Sequence, residues 1–268
     1  MRWMQCLAIG ALSVAIAACS TSPTGRSQLM LMSEAELDQM GAKAFNQYQQ
    51  ELPTVGGAPL RQVQCITNAI VRVLPPEQRQ ENWEVRVFKD DSANAFALPG
   101  GYVGVNTGLL ELADDQNQVA SVIGHEIAHV MAQHANERAS TQSATQIGLS
   151  VASVAAAAAG IEGPTHDMTM QALGMGAQFG VQLPFSRSHE SEADEIGLDL
   201  MARAGFDPRA SVQLWRNMSQ AGGGGQPPEW MSTHPSHDSR ISDLQAGMNR
   251  AMATYQQARQ SGRTPNCR

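Results

Sequence analysis

One short run constrains this chain more than any other feature: His125, Glu126, Ile127, Ala128 and His129, set inside an apolar stripe. Around it Val119, Val122, Ile123, Ile127, Val130 and Met131 recur at helical spacing between Asp115 and about Glu137, which predicts a helix buried along its length. Imidazoles four residues apart share one helical face and can reach a single Zn²⁺, while the carboxylate beside the first can contact a water on that ion. Chance would yield this HExxH pattern in about one chain in a hundred of this composition. The alternative is a pair of structural histidines bonded to Glu126, which would need further partners to offset desolvation. Any fold must bury this helix and still gather polar groups at its middle.

Composition narrows the rest. With 268 residues, 42% of them apolar and only 5% aromatic, the chain can form one compact domain whose core is mostly small aliphatic side chains between helices. A net charge of −7 and a pI near 5.5 exclude the basic surface that nucleic-acid binding requires. Arg2 followed by the apolar run Cys6 to Ala18 has the layout of a signal peptide, residues 1–18. Ala17, Ala18 and Cys19 then resemble a lipoprotein processing site, so Cys19 is expected to be acylated and to anchor the chain in a membrane, with 19–32 as lipidated N-terminus and linker. An ordinary cleavable signal is the alternative. Export leaves Cys65 and Cys267 as the pair available for a disulfide, although their distance in sequence does not establish that they meet.

The remaining elements read as helices around one small β region. Helices are predicted from Ser33 to about Gln50, from Leu60 to Leu74 after a turn at Pro53 to Pro59, and over Gln171–Val181, Ser188–Ala204, Asp207–Gln220 and Ser236–Arg259. Trp83–Phe88, Ala95–Leu98 and Tyr102–Asn106 alternate as strands of a small antiparallel sheet with one exposed edge. Ile147 to Ala159 is apolar but, at about 20 Å as a helix, short of a bilayer's core. It is expected to be a buried small-residue helix, with a mobile or membrane-dipping element beside the active site as the alternative. The fold class is α+β, mostly α, with one domain over 33–259 and a polar tail over 260–268.

A catalytic zinc takes three protein ligands and keeps one position open. Ala132 and Ala135 stand where a metzincin would continue with glycine and histidine, so the third ligand lies elsewhere. In Arg187–Asp194, Glu190 and Asp194 share a helical face, so Glu190 can ligate while Asp194 orients an imidazole through its free N–H. His189 is the rival ligand. Glu192 and Glu195 are expected to be solvated, as are His134, His166 and His237.

HExxH, the later ExxAD of Glu190 to Asp194, and Asn94–Gly101 with Val105 and Thr107–Leu110 together resemble the M48 family of zinc metallopeptidases, in particular its exported lipoprotein members. The resemblance spans roughly Ser33 to Arg259. It implies a gluzincin-type fold, one Zn²⁺ held by His125, His129 and Glu190, Glu126 as catalytic acid/base and Asp194 behind the site. His234, within Thr233, His234 and Pro235, matches a histidine near the zinc in relatives, and is a candidate oxyanion donor or inhibitory fourth ligand; a surface turn is the alternative. The implied activity is endopeptidase cleavage of unfolded or misfolded envelope polypeptides at an outer membrane facing the periplasm. The strand near Asn94–Leu98 could hold such substrates by strand addition. A chaperone or assembly factor using the same cleft with little proteolysis is the second reading, and a metal-binding lipoprotein with neither activity the third.

Overall fold

The computed structural model describes residues 19–79, 82–221, 231, 234 and 240–268. They form two compact units, one of the residues up to Glu34 with Gln133–Ser188, the other of Ala35–Ala132 with His189–Arg268.

The larger unit is built on a four-stranded sheet. Its strands are β3 (Thr54–Val55), β4 (Glu84–Phe88), β5 (Ala95–Leu98) and β6 (Tyr102–Asn106), in the order β3-β4-β6-β5. β5–β6 is antiparallel as expected and β3–β4 is antiparallel too, but the central β4–β6 pair is parallel. The sheet is therefore mixed. β6 enters the middle because its residues 103–106 are buried on both faces, which leaves β5 at the edge. The two-residue strand β3 falls in the stretch read as a turn; such a short segment carries no period to detect.

Alternation divides the sheet's two faces. Phe88, Phe96 and Tyr102 point to α1 (Glu34–Glu51) and meet Phe45 there at ring separations of 6.2, 6.4 and 5.0 Å. Val85, Val87, Ala95, Val103 and Val105 join the aliphatic core with Val63, Ile66 and Ile70 of α2 (Gly57–Val71). That core also takes Val119, Val122, Ile123 and Ile127 from α5 (Gln116–Met131), while short helices α3 (Pro76–Arg79) and α4 (Thr107–Leu112) flank the strands. α5 packs against α2, β5 and α9 (Arg209–Ala221), so the HExxH helix is the hub of its unit. Asp115 caps it by accepting from the backbone N–H groups of Asn117 and Gln118. The helix stops at Met131, short of the expected end near Glu137, because Gln133 takes a left-handed φ of 52° and His134 starts a new helix.

The C-terminal helix α10 (Arg240–Gln260) packs on α9, and the tail after it is docked. Cys267 is buried and bonded to Cys65 of α2, its N–H donates to Gln116 Oε1, and Gln116 Nε2 donates to the Pro265 carbonyl.

The smaller unit holds an antiparallel ribbon of β1 (Cys19–Thr21) and β2 (Ser27–Leu29) and a helical hairpin of α6 (His134–Ala158) and α7 (Gly163–Ala177). A π-helical turn over Gln178–Gln182 leads into α8 (Leu183–Ala204), whose residues from His189 onward belong to the larger unit. The expectation of a buried helix over Ile147–Ala159 is overturned. Ile147, Val151 and Val154 are 63–71% exposed, and α6 buries only His134, Asn136, Glu137 and Ser140 near its start. Apolar composition does not itself supply a partner to pack on. Among the described residues no helix is long and apolar enough to cross a membrane.

Candidate metal centre

α5 and α8 approach until backbone meets backbone. A Cβ on Gly197 would stand 2.9 Å from the His125 backbone, and one on Gly124 3.0 Å from the Gly197 carbonyl oxygen, so only glycine fits this crossing. Ala193, one turn earlier on α8, is completely buried. The close crossing sets Glu190 and Asp194 of α8 against His125 and His129 of α5.

The ligand-type atoms converge there. His125 Nε2 lies 3.0 Å from His129 Nε2, 3.3 Å from Glu190 Oε2 and 3.3 Å from His234 Nδ1. His129 Nε2 is 3.5 Å from Glu190 Oε1, and His234 Nδ1 is 3.2 Å from both Glu190 oxygens. One such atom from each of the four residues lies within 4.8 Å of the others. A tetrahedral ion with ligand bonds of about 2.0–2.2 Å separates its ligand atoms by roughly 3.3–3.6 Å, close to what these side chains present. Imidazole nitrogens that face one another across a buried carboxylate also need a cation or protons between them. The four residues therefore fit a divalent ion such as zinc.

Their surroundings hold them in place. Asp194 Oδ1 is 3.0 Å from His125 Nδ1 and can accept its proton, which turns the Nε2 lone pair toward the cluster. Arg240, at the first turn of α10, contacts both carboxylates: Nη2 donates to Asp194 Oδ1 at 2.7 Å, Nε lies 2.7 Å from Asp194 Oδ2, and Nη1 donates to Glu190 Oε2 at 3.2 Å. Its guanidinium stacks on Trp215 with Cζ 3.9 Å from the ring centroid. Glu126 is buried on α5 with Oε1 3.5 Å from His234 Nε2.

The electrostatics favour a cation. Burial opposes a charged His125, but its hydrogen bonds to Asp194 and Glu190 win and push the imidazole up from 6.5 to about 9, against the repulsion of Arg240. Burial likewise opposes an ionised Glu190. Hydrogen bonds from His125 and His234, with the charges of His125 and His129, overcome it and hold the carboxylate well below its usual range.

Five of the residues singled out from sequence thus meet, namely His125, His129, Glu190, Glu126 and Asp194, and His234 joins them. Its neighbours Thr233 and Pro235 lie outside the described residues, as does His237. The rival ligand His189 is buried but is not part of the cluster. Glu192, expected to be solvated, is 5% exposed, and His134, also expected at the surface, is 2% exposed at the start of α6. His166 is half-buried and pairs with Ser153. Arg240 and Trp215 escaped sequence reasoning altogether. The one signal for Arg240 was an isolated arginine six positions after His234, which no periodicity distinguishes from a solvated charge.

Comparison with known proteins agrees with this geometry. The profile "Peptidase family M48" matches residues 58–247. The mitochondrial metalloendopeptidase OMA1 of Schizosaccharomyces pombe is 38% identical over 164 residues, covering 61% of this chain and 46% of that protein. OMA1 of Bos taurus is 34% identical over 236 residues, 82% of this chain and 44% of the relative. The beta-barrel assembly-enhancing protease of Yersinia pestis is 34% identical over 174 residues, 61% of this chain and 34% of the relative. This chain spans less than half the length of each of these three.

Proposed function

The chain belongs to peptidase family M48, and from that premise we propose that it is a zinc-dependent endopeptidase acting on unfolded or misfolded polypeptides of the cell envelope. The convergence of His125, His129 and Glu190 beside the buried Glu126 carries this reading. His125, His129 and Glu190 would hold one Zn²⁺ per chain. Bound there, zinc supplies Lewis acidity: it polarises the scissile carbonyl and brings the pKa of a water toward about 7.

The chain's own groups do the rest. Glu126 takes the proton of the attacking water and returns it to the departing amine nitrogen. Asp194 fixes the tautomer of His125, and Arg240 neutralises and positions Asp194 and Glu190 together. His234, within 3.5 Å of Glu126 and 3.3 Å of His125, would donate to the oxyanion or fill the fourth ligand position. The edge strand β5 packs on α5, and its outer side suits an extended substrate added as a further strand, a mode that selects flexible chains over a particular sequence. Acylation at Cys19 would place the protein on a membrane, with the periplasmic face of an outer membrane as our choice.

Glu126→Gln tests the reading. We expect zinc content to be unchanged and cleavage of an unfolded protein such as casein to fall by about 10²–10⁴-fold; undiminished cleavage would reject the role of Glu126. A second reading is favoured by relatives of Yersinia pestis and Vibrio cholerae that are named for beta-barrel assembly: a chaperone or assembly factor that uses the cleft and seldom cleaves. It requires that biological rescue survive Glu126→Gln.

A further inference from the structure

The α6–α7 hairpin takes no part in the metal centre, and its surface differs from the rest of the chain. From Ala139 to Ser186 the only charged residues are Glu162 and Asp167, whereas charged residues make up 16% of the whole. Ile147, Val151, Val154, Met168, Leu173 and Met175 are 44–71% exposed, and α7 buries no residue. Ile147, Val151 and Val154 follow one another at four and three residues, so they share one face of α6. Scattered apolar residues on a surface are ordinary, but a hairpin with only two charged residues beyond its first turns, exposing this many, has the character of a docking surface.

What covers it is indicated by what is fastened to its base. The β1–β2 ribbon, which begins at Cys19, is stapled to the first turns of α6. Arg26 donates to both oxygens of Glu137 at 2.6 Å, and Gln28 donates to the same carboxylate at 2.7 Å. The Leu31 N–H donates to Ser140 Oγ at 2.8 Å, and Asn136 bonds Met32 through both its carbonyl and its amide. Glu137 and Ser140 precede Ile147 on the same helix by about 10–15 Å of axial rise. The residue marked for acylation is therefore held by the helix that exposes the apolar stripe, and not by a free linker.

We propose that the α6–α7 hairpin lies on the lipid bilayer that receives the Cys19 acyl chains, with its apolar face in contact with lipid. The proposal rests on the lipid-anchor part of the function proposed above. With no lysine or arginine between 139 and 186, the contact is to the apolar boundary of the bilayer and not to anionic headgroups. It is therefore insensitive to salt and to the fraction of anionic lipid.

The test uses the full acylated chain in zwitterionic vesicles, its N-terminal mass measured, with an environment-sensitive fluorophore at Val151→Cys and, as reference, at Met40→Cys, which replaces another exposed apolar residue. Brominated acyl chains should quench the probe at 151 at least threefold more than that at 40, equally in 0.5 M salt and with anionic lipid added. Equal quenching at both positions overturns the proposal. So does shielding at 151 that ignores bromolipid and reverses on dilution, which assigns the face to a second copy of the chain. A preparation whose mass lacks acyl groups and which does not float with the vesicles overturns it at the anchor. Zinc content and casein cleavage of the same preparation report on the peptidase reading separately.

Discussion

Arg240 is 1% exposed, and a guanidinium tolerates that only when its charge is paired and its donors are used. Asp194 and Glu190 supply the pairing, so two carboxylates that would repel each other around a divalent site are joined through one cation. The same balance gives the centre its pH dependence. With His125 held near 9, the folded metal-free protein keeps a proton on this imidazole at neutral pH, and zinc must displace it. Apparent zinc affinity should therefore rise by about tenfold per pH unit below pH 9, and calorimetry near pH 7 should detect release of about one proton per zinc. The linked stability has the opposite slope. A raised folded-state value stabilises fully below the ordinary 6.5 and is lost as pH rises through about 9. The chelated protein should lose on the order of 3 kcal/mol across that window, while zinc-loaded protein should not; chemical denaturation at pH 6 and pH 9 distinguishes the two.

At the scale of elements, the crossing of α5 and α8 decides whether ligands from two distant segments can share an ion. Gly197 has no room for a Cβ beside His125, so Gly197→Ala forces the helices apart by a few tenths of an ångström or more. We expect the substitution to cost about 1–3 kcal/mol and to weaken zinc binding, read as a smaller difference in melting temperature between loaded and chelated protein. A melting temperature that keeps its full response to zinc would show that the crossing has slack. Both helices were legible in sequence because each repeats over several turns. The crossing of Gly124 with Gly197 was not, since nothing local marks which glycine a helix will meet. The sheet shows a similar split: alternation identified β4, β5 and β6, but the parallel neighbour relation of β4 and β6 depends on a crossover that no strand encodes by itself.

For the whole molecule, the bond from Cys65 to Cys267 spans 202 residues and joins the tail to α2, while Gln116 holds the same tail at the start of the HExxH helix. Cys267→Ser should therefore lower stability by about 2–5 kcal/mol, measured by denaturant unfolding of oxidised protein. The tail, released from this tie, should then become a site of early proteolysis. The positions of His125, Glu126 and His129 were determined by sequence alone, because three groups on one helical turn keep their relation in any fold that leaves the helix intact. Glu190 and Asp194 followed for the same reason. Tertiary structure alone decided that Arg240 would close the centre, that His134 and Glu192 would be buried, and that an apolar hairpin would stand exposed. Burial and pairing belong to what packs around a residue, and that neighbourhood comes from segments far away along the chain.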